Sequence, residues 1–226
     1  MLKTKSFLAT TLLVAAFQAP VFAEGEQTIA VGAKLGTLGF GLEAKTKITD
    51  NVYGRLGVNY FKYNVAKNVD NNRIKGDLRL LSVPLMVDYH PYADSGFRIS
   101  AGLAYNGNEF NLSGKTTKSV TSNGRTYTPS EIGTLKTKLK LGSGLAGLAT
   151  IGYDSALVQP DPLSFSFEAG IMYTSAPKFK VSASGLLGAD KQMIQDLEAK
   201  VNKDLKSVKN RLRVLPVLSF GFKYSL

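Results

Sequence analysis

The chain has 226 residues, 28 Lys and Arg against 17 Asp and Glu, a net charge of +11 and no cysteine. That length suits one domain or one barrel, and the absence of thiols excludes a disulfide framework and any thiolate metal site. A basic excess raises nucleic acid as a partner, but no recognition motif accompanies it and the chain opens on an export-type segment. Anionic lipid head groups are therefore the expected partner for exposed charge.

In that opening segment, Lys3 and Lys5 precede an apolar run from Phe7 to Phe17, followed by Pro20 and Val21-Phe22-Ala23. A short basic region, an apolar core and a small residue at the end predict a signal peptide over 1–23, with Glu24 starting the mature chain. The run is too short for a membrane-spanning helix, which takes about 20 apolar residues. With 26 bases against 17 acids after residue 23, the mature domain, 24–226, carries +9. No other stretch could cross a bilayer as a helix, so a membrane-embedded mature domain has to be a closed barrel.

The remaining chain alternates with a period of two, apolar residues on one side and small or polar ones on the other. Ile29, Val31, Ala33 and Leu35 give a first strand, and Phe40, Leu42, Ala44 and Ile48 a second after a turn at 36–39. Thr49-Asp50-Asn51 is a tight turn by residue type. Val52, Leu56, Val58 and Tyr60 mark a third strand, 64–73 reads as a polar loop, and Leu81, Val83, Leu85, Val87 and Tyr89 mark a fourth. After a turn at 90–96, Phe97 to Asn106 forms a fifth. A long loop at 113–134 follows, with a small hairpin turn at Ser122-Asn123-Gly124-Arg125. A sixth strand is predicted from Leu135 to about Tyr153 through a glycine-rich bend. After a turn at 154–162, a seventh strand runs from Leu163 to Thr174. From about 190 to 210 the period changes, and Ile194, Leu197, Val201, Leu205 and Val208 predict an amphipathic helix, expected to pack as a lid on the barrel mouth or neighbouring loops. The last strand carries Leu218, Phe220, Phe222, Tyr224 and Leu226 on its oily face.

Eight strands put both ends of the barrel on one side, which in outer-membrane barrels is periplasmic. Turns at 49–51, 90–96 and 154–162 fall on that side and are short, whereas the connections at 64–73, 113–134 and 176–211 fall on the other and are long. The expected fold is all-β: an eight-stranded antiparallel transmembrane up-and-down β-barrel with an amphipathic helix in the last extracellular loop, integral to the bacterial outer membrane.

With the oily faces turned to lipid, the lumen is expected to be lined by Lys34, Glu43, Lys45, Arg55, Asn59, Asp88, Arg98, Asn106, Lys138, Lys140, Glu168 and Lys223. An eight-stranded barrel is just wide enough for side chains to fill, and charges there need partners. Glu43, Asp88 and Glu168 are expected to pair with Arg55, Arg98, Lys140 or a neighbour, forming either a polar plug or a narrow path for small solutes. No catalytic residue, metal site or cofactor is predicted. The only histidine, His90, falls in a periplasmic turn, where it cannot serve a serine nucleophile at the outer leaflet. Gly39-Phe40-Gly41 opens no helix and is no dinucleotide site.

Four stretches, 80–92 (LLSVPLMVDYHPY), 97–112 (FRISAGLAYNGNEFNL), 123–127 (NGRTY) and 167–181 (FEAGIMYTSAPKFKV), together with the charged helical insert before the last strand, resemble the CarO-type (carbapenem-resistance-associated) outer-membrane proteins. The chain departs from that pattern by ending in Leu226 rather than an aromatic residue and by its basic excess. The resemblance implies a small eight-stranded barrel of the Gram-negative envelope, implicated in uptake of small amino acids and discussed as a route for carbapenems. It also implies a last strand read by the barrel-assembly machinery. The function expected from the sequence is a porin-like narrow channel for small polar solutes such as amino acids. The alternative is a non-conducting structural or interaction barrel that binds lipopolysaccharide or a surface partner. Outer-membrane lipid is the expected surrounding, nucleic acid is not a partner, and the barrel is expected to be monomeric.

Overall fold

The computed structural model describes residues 29–226 apart from 70–71, 93–94, 116–118, 123–124, 143, 159–161, 186–187, 189 and 205–211. Residues 1–23, expected as a signal peptide, lie outside the described residues. Eight strands form a closed antiparallel ring: β1 (Ile29–Gly36), β2 (Gly39–Thr49), β3 (Val52–Val69), β4 (Asn72–Tyr89), β5 (Phe97–Asn106), β10 (Gly144–Asp154), β11 (Leu163–Tyr173) and β13 (Val214–Ser225). Closure is made by the two ends of the barrel, with Val31 opposite Tyr224, Ala33 opposite Phe222 and Leu35 opposite Phe220. Among the described residues no helix is long and apolar enough to cross a membrane.

The alternation read from the sequence sets the two faces of this wall. Leu85, Leu103, Leu145, Leu163, Phe165 and Phe222 all point outward, with Leu145 and Leu163 left 70% and 64% exposed. Such a continuous oily exterior belongs in lipid. Tyr60, Tyr105 and Tyr173 lie toward one rim of the belt, and Tyr89, Tyr153 and Tyr224 toward the other. From Phe97 to Tyr105 the strand spans about 26 Å, enough for a tilted transmembrane strand.

The wall does not stop at the extracellular rim. β3 and β4 are 18 residues each and stay paired from Val52 opposite Tyr89 up to Val69 opposite Asn72. Residues 64–73, expected as a loop, are therefore mostly strand. The stretch carries polar residues at both odd and even positions, and Asn64 to Lys67 are exposed, so no oily stripe betrays it in the sequence. Above Ser82, β4 exchanges β5 for β6 (Glu109–Lys115), and the sheet continues through β9 (Thr134–Lys140) to β12 (Lys178–Ala183). β6, β9 and β12 are the upward continuations of β5, β10 and β11, each interrupted at one level. Asn106 and Asn108 staple that level. The Asn106 amide donates to the Leu141 carbonyl at 2.7 Å and the Thr174 hydroxyl at 3.0 Å, and the Leu81 N–H donates to Asn108 Oδ1 at 2.8 Å.

The predicted sixth strand is thus two strands, β9 and β10. Between them Gly142 and Gly144 adopt φ of 75° and 79°, a left-handed backbone that glycine takes at no steric cost. The irregularity slips the alternation by one residue, which turns every side chain of β9 to the opposite face. Between β6 and β9, β7 (Val120–Ser122) and β8 (Arg125–Tyr127) pair as the expected small hairpin, and a one-turn helix, α1 (Pro129–Ile132), follows.

The amphipathic helix, α2, is described over Lys191–Asp204. The Val181 N–H donates to Glu198 Oε1 at 2.7 Å, and Ile194 joins Tyr127, Ile132, Leu135 and Ala183 in a small extracellular core. The helix covers the free edge of β12, which would otherwise present unpaired backbone groups to other chains.

In β13, Phe222 sits between Ala33 and Phe165, and Tyr224 between Val31 and Leu163. Replacing both with Ser removes apolar surface from the closing seam on the lipid side. The expected outcome is a lower yield of folded barrel in outer-membrane fractions, read as loss of the heat-modifiable band on an unboiled gel. Unchanged yield and migration would count against the seam.

Candidate functional site

The lumen is where a solute would have to pass. Its periplasmic half holds one connected set of buried charges. Arg55, near the periplasmic start of β3, spans the barrel: Nη1 donates to Glu168 Oε2 at 2.6 Å and Glu43 Oε2 at 3.3 Å, while Nε and Nη2 donate to Asp88 Oδ1 at 3.2 and 3.1 Å. Arg98 repeats the bridge from β5, to Asp88 Oδ2 at 2.9 Å and Glu168 Oε2 at 3.0 Å. Glu43 also receives Lys34 at 2.7 Å and Lys223 at 3.4 Å. Toward the periplasm, Asp154 gathers Lys223 at 2.7 Å and Lys45 at 2.9 Å, and Lys45 lies 4.0 Å from Asp88. Space for the Arg98 guanidinium is made by Gly152, where a Cβ would stand 3.0 Å from Nε and 2.5 Å from the Phe167 carbonyl oxygen.

Four carboxylates and five bases therefore lock together across the barrel. Isolated charges in so narrow a space would be strongly disfavoured, and only mutual pairing makes the set tolerable. His90 caps the cluster from the turn after β4. Its Nδ1–H donates to the Phe97 carbonyl at 3.1 Å, and its Nε2 accepts from Lys45 Nζ at 3.2 Å. Tyr53 packs edge-on against the imidazole at 5.1 Å and lies under the Lys45 ammonium.

Above the charges the lumen is oily. Met86, Ala104, Ala146, Leu148, Met172 and Val217 form a buried cluster, with Leu38 and Leu215 packed against it. Between this stopper and the ion pairs the cavity is only about 20 Å³, bounded by Glu43, Arg55, Asn59, Met86, Leu148, Glu168 and Val217. A single water needs roughly 10–15 Å³ on this measure, so no organic solute fits. A larger vestibule of about 250 Å³, lined by Lys45, Tyr53, Asp154 and Lys223, lies on the periplasmic side of the seal.

The structure places Lys34, Glu43, Lys45, Arg55, Asn59, Asp88, Arg98, Asn106, Glu168 and Lys223 on the inner face of the wall. Asn59 donates to Ser82 beside the stopper, at 3.0 Å, and Asn106 sits at the upper rim. Lys138 and Lys140 are a correction. The slip between the end of β9 and the start of β10 turns them to the outside of the extracellular wall, where Lys138 pairs with Glu109 at 2.8 Å. Sequence reasoning missed Asp154, taken as the start of a turn, and the role of His90, judged only as a possible catalytic base. It also missed the oily stopper. Met86 and Met172 stood on the small and polar faces of their strands, and only their coincidence in depth gives them away.

A closed eight-stranded antiparallel wall, oily outside and filled within, defines a small integral outer-membrane β-barrel. No protein-family model matches the chain, and no curated protein does. Among solved structures the chain is similar to crystal structures of two Acinetobacter baumannii proteins. For CarO2 the TM-score is 0.55 at 19% identity, covering 89% of this chain and 100% of that one. For CarO it is 0.54 at 20% identity, covering 86% and 96%. What is shared at these identities is the fold, that of the CarO-type small outer-membrane barrel.

Replacing Arg98 with Met leaves Asp88 and Glu168 short of positive charge inside the barrel. Loss of one member of a buried pair costs about 3–5 kcal/mol. Urea unfolding of the refolded protein in vesicles should show that loss, and adding Asp88→Asn should recover part of it. A loss below about 1 kcal/mol would mean the network does not hold the barrel. The His90 turn makes stability depend on pH. Burial, then the Lys45 ammonium, lowers its pKa from 6.5 to about 4. Between those values the unfolded chain takes up a proton that the folded chain refuses. This contribution is therefore intact above about pH 6.5 and lost as pH falls toward 4. Unfolding midpoints across that range should fall in the wild type and fall less in His90→Gln.

Proposed function

We propose that the protein is a non-conducting outer-membrane barrel that works through its extracellular wall, binding lipopolysaccharide or a surface partner, and not a channel for small polar solutes. The observation that carries this reading is the pair of stacked seals: an ion-pair layer reaching from β2 to β13, and an apolar layer directly above it. The two seals fail by different means. Opening the lower one separates buried charges, and opening the upper one removes Met172 and Met86 from close packing. Neither is a loop that can swing aside, because every member stands on a strand of the closed ring. The periplasmic vestibule ends blindly at Lys45 and Lys223. His90 has both ring nitrogens engaged and offers no free base.

The extracellular side offers far more surface. Five of the eight strand positions rise above the oily belt, and a helix covers the β12 edge of the sheet they form. A sheet extended beyond the bilayer at this length serves no transmembrane purpose, so it supports a role in contact with what lies outside.

Swelling of liposomes containing the purified protein, with glycine, ornithine or glutamate as solute, separates the two functions. The expected result is no swelling above empty vesicles for any of the three. Swelling with one of them would restore the channel.

A further inference from the structure

The outward face of the extracellular wall carries a ladder of bases that outnumber the carboxylates paired with them among the described residues. On β9 and β12, Lys140 stands directly opposite Lys178 and Lys138 opposite Lys180. Like charges directly opposite on neighbouring strands are destabilising. The next strand offers one acid, Glu109, and it is already shared between Lys138 at 2.8 Å and Arg79 at 3.2 Å. Farther along, Lys62 lies 3.9 Å from Asp77. Among the described residues no carboxylate pairs with Lys140, Lys178 or Lys180.

The direction this ladder faces identifies its partner. β3 and β4 run without interruption from the membrane into the extracellular wall, and side chains two residues apart share a face. Lys62 thus follows Val58 and Tyr60 on the lipid-facing side of β3, and Arg79 continues the side of Leu81 and Val83 on β4. The registers of β6, β9 and β12 carry the same face across: Arg79 opposes Glu109, Glu109 opposes Lys140, and Lys140 opposes Lys178. The bases therefore look sideways over the outer leaflet and begin one pleat, roughly 7 Å, above the tyrosine rim.

We propose that this face binds the phosphate groups of the outer-leaflet lipid itself, the phosphorylated head of lipid A, whose acyl chains lie along the oily belt below. The proposal rests on the reading of this chain as an outer-membrane barrel with an active exterior, and it is independent of whether the lumen conducts. An anionic head group placed between Lys138, Lys140, Lys178 and Lys180 relieves their mutual repulsion. Its attachment to a lipid fixes it at the height where the ladder starts. A soluble anionic protein would meet the same charges, but nothing would hold it against a face that looks along the membrane surface.

The test is titration of purified protein in neutral detergent with fluorescent bisphosphorylated lipid A, alongside the same lipid stripped of phosphate and inorganic phosphate alone. Each lysine near an anionic surface contributes about fivefold to affinity. Lys138→Gln/Lys140→Gln/Lys178→Gln/Lys180→Gln is expected to bind lipid A more than about a hundredfold more weakly than the wild type. About 1 M salt, where the screening length is near 3 Å, should weaken wild-type binding in the same direction. Phosphate-free lipid and inorganic phosphate should bind poorly to both proteins. Heat-modifiable migration checks that the variant folds, and Lys178→Gln/Lys180→Gln, on β12 alone, serves if the fourfold variant does not. Equal binding by wild type and variant, or equal binding of lipid with and without phosphate, overturns the proposal. A protein that swells liposomes yet still selects phosphorylated lipid A overturns the non-conducting reading alone.

Discussion

A bilayer gives the polypeptide backbone nothing to hydrogen-bond with, and every other feature of this molecule follows from that constraint. Strands in lipid have to be paired on both edges, so β13 returns to β1 and the wall closes. With eight strands the ring is narrow, and its interior is a packed core and not a pore. Polar residues that alternate with the oily ones are forced inward, where they meet one another at hydrogen-bond distance. Arg55 and Arg98 reach across to acids on other strands because water is not there to solvate them. The charged core is thus a consequence of the oily exterior, produced by the same period of two.

The closed ring also explains why the seal is double. Toward the periplasm the inward residues are long and charged and fill the bore by pairing. Toward the outside the inward positions of β10, β11 and β13 turn apolar, with Leu148, Met172 and Val217 at one depth. A water column would have to cross both media. Above this level β13, β1 and β2 stop, and the other five positions of the ring grow on as an open sheet, β3-β4-β6-β9-β12. The break is held by Asn106 and Asn108, whose amides satisfy backbone and side-chain groups where β5, β10 and β11 pause. Of the two edges this leaves, on β3 and β12, the β12 edge is blocked by α2 through the Glu198 carboxylate.

Most of the barrel was legible in the sequence because lipid enforces strict alternation. β1, β2, β5, β11 and β13 fall within a few residues of their expected bounds for that reason, and ten of the twelve residues assigned to the lumen lie on the inner face. Outside the membrane the enforcement ends. In β3 and β4 an oily alternation persists just above the membrane, Phe61, Tyr63 and Val65 opposite Leu80, Leu78 and Gly76, but it fades into polar residues toward 66–73, and that stretch reads as loop. Lys138 and Lys140 were lost to a single slip. Gly142 and Gly144 hinted at a bend, but whether a bend preserves or inverts the alternation depends on residue count through a left-handed turn, which composition does not reveal. Asp154 was missed because an aspartate at a strand end reads as turn chemistry, and only the closed ring brings it to Lys45 and Lys223.

The location of the basic excess decides how it is to be understood. Read from the sequence alone, the excess pointed to anionic lipid head groups, yet seven of the twelve residues assigned to the lumen were bases and three were acids. In the structure the buried set is nearly balanced, with Glu43, Asp88, Asp154 and Glu168 against Lys34, Lys45, Arg55, Arg98 and Lys223. A balanced, interlocked core exerts little field of its own and offers no sign selectivity. Much of the surplus stands on the outer face of β9 and β12, where lysines oppose lysines. The buried charges are paired throughout, whereas on the outer face Lys138 alone of the four lysines has a carboxylate partner among the described residues. Lysines set opposite lysines are costly to fold, and under the proposed lipid A contact that cost is offset from outside the protein, by anions at the height and on the side where those lysines stand.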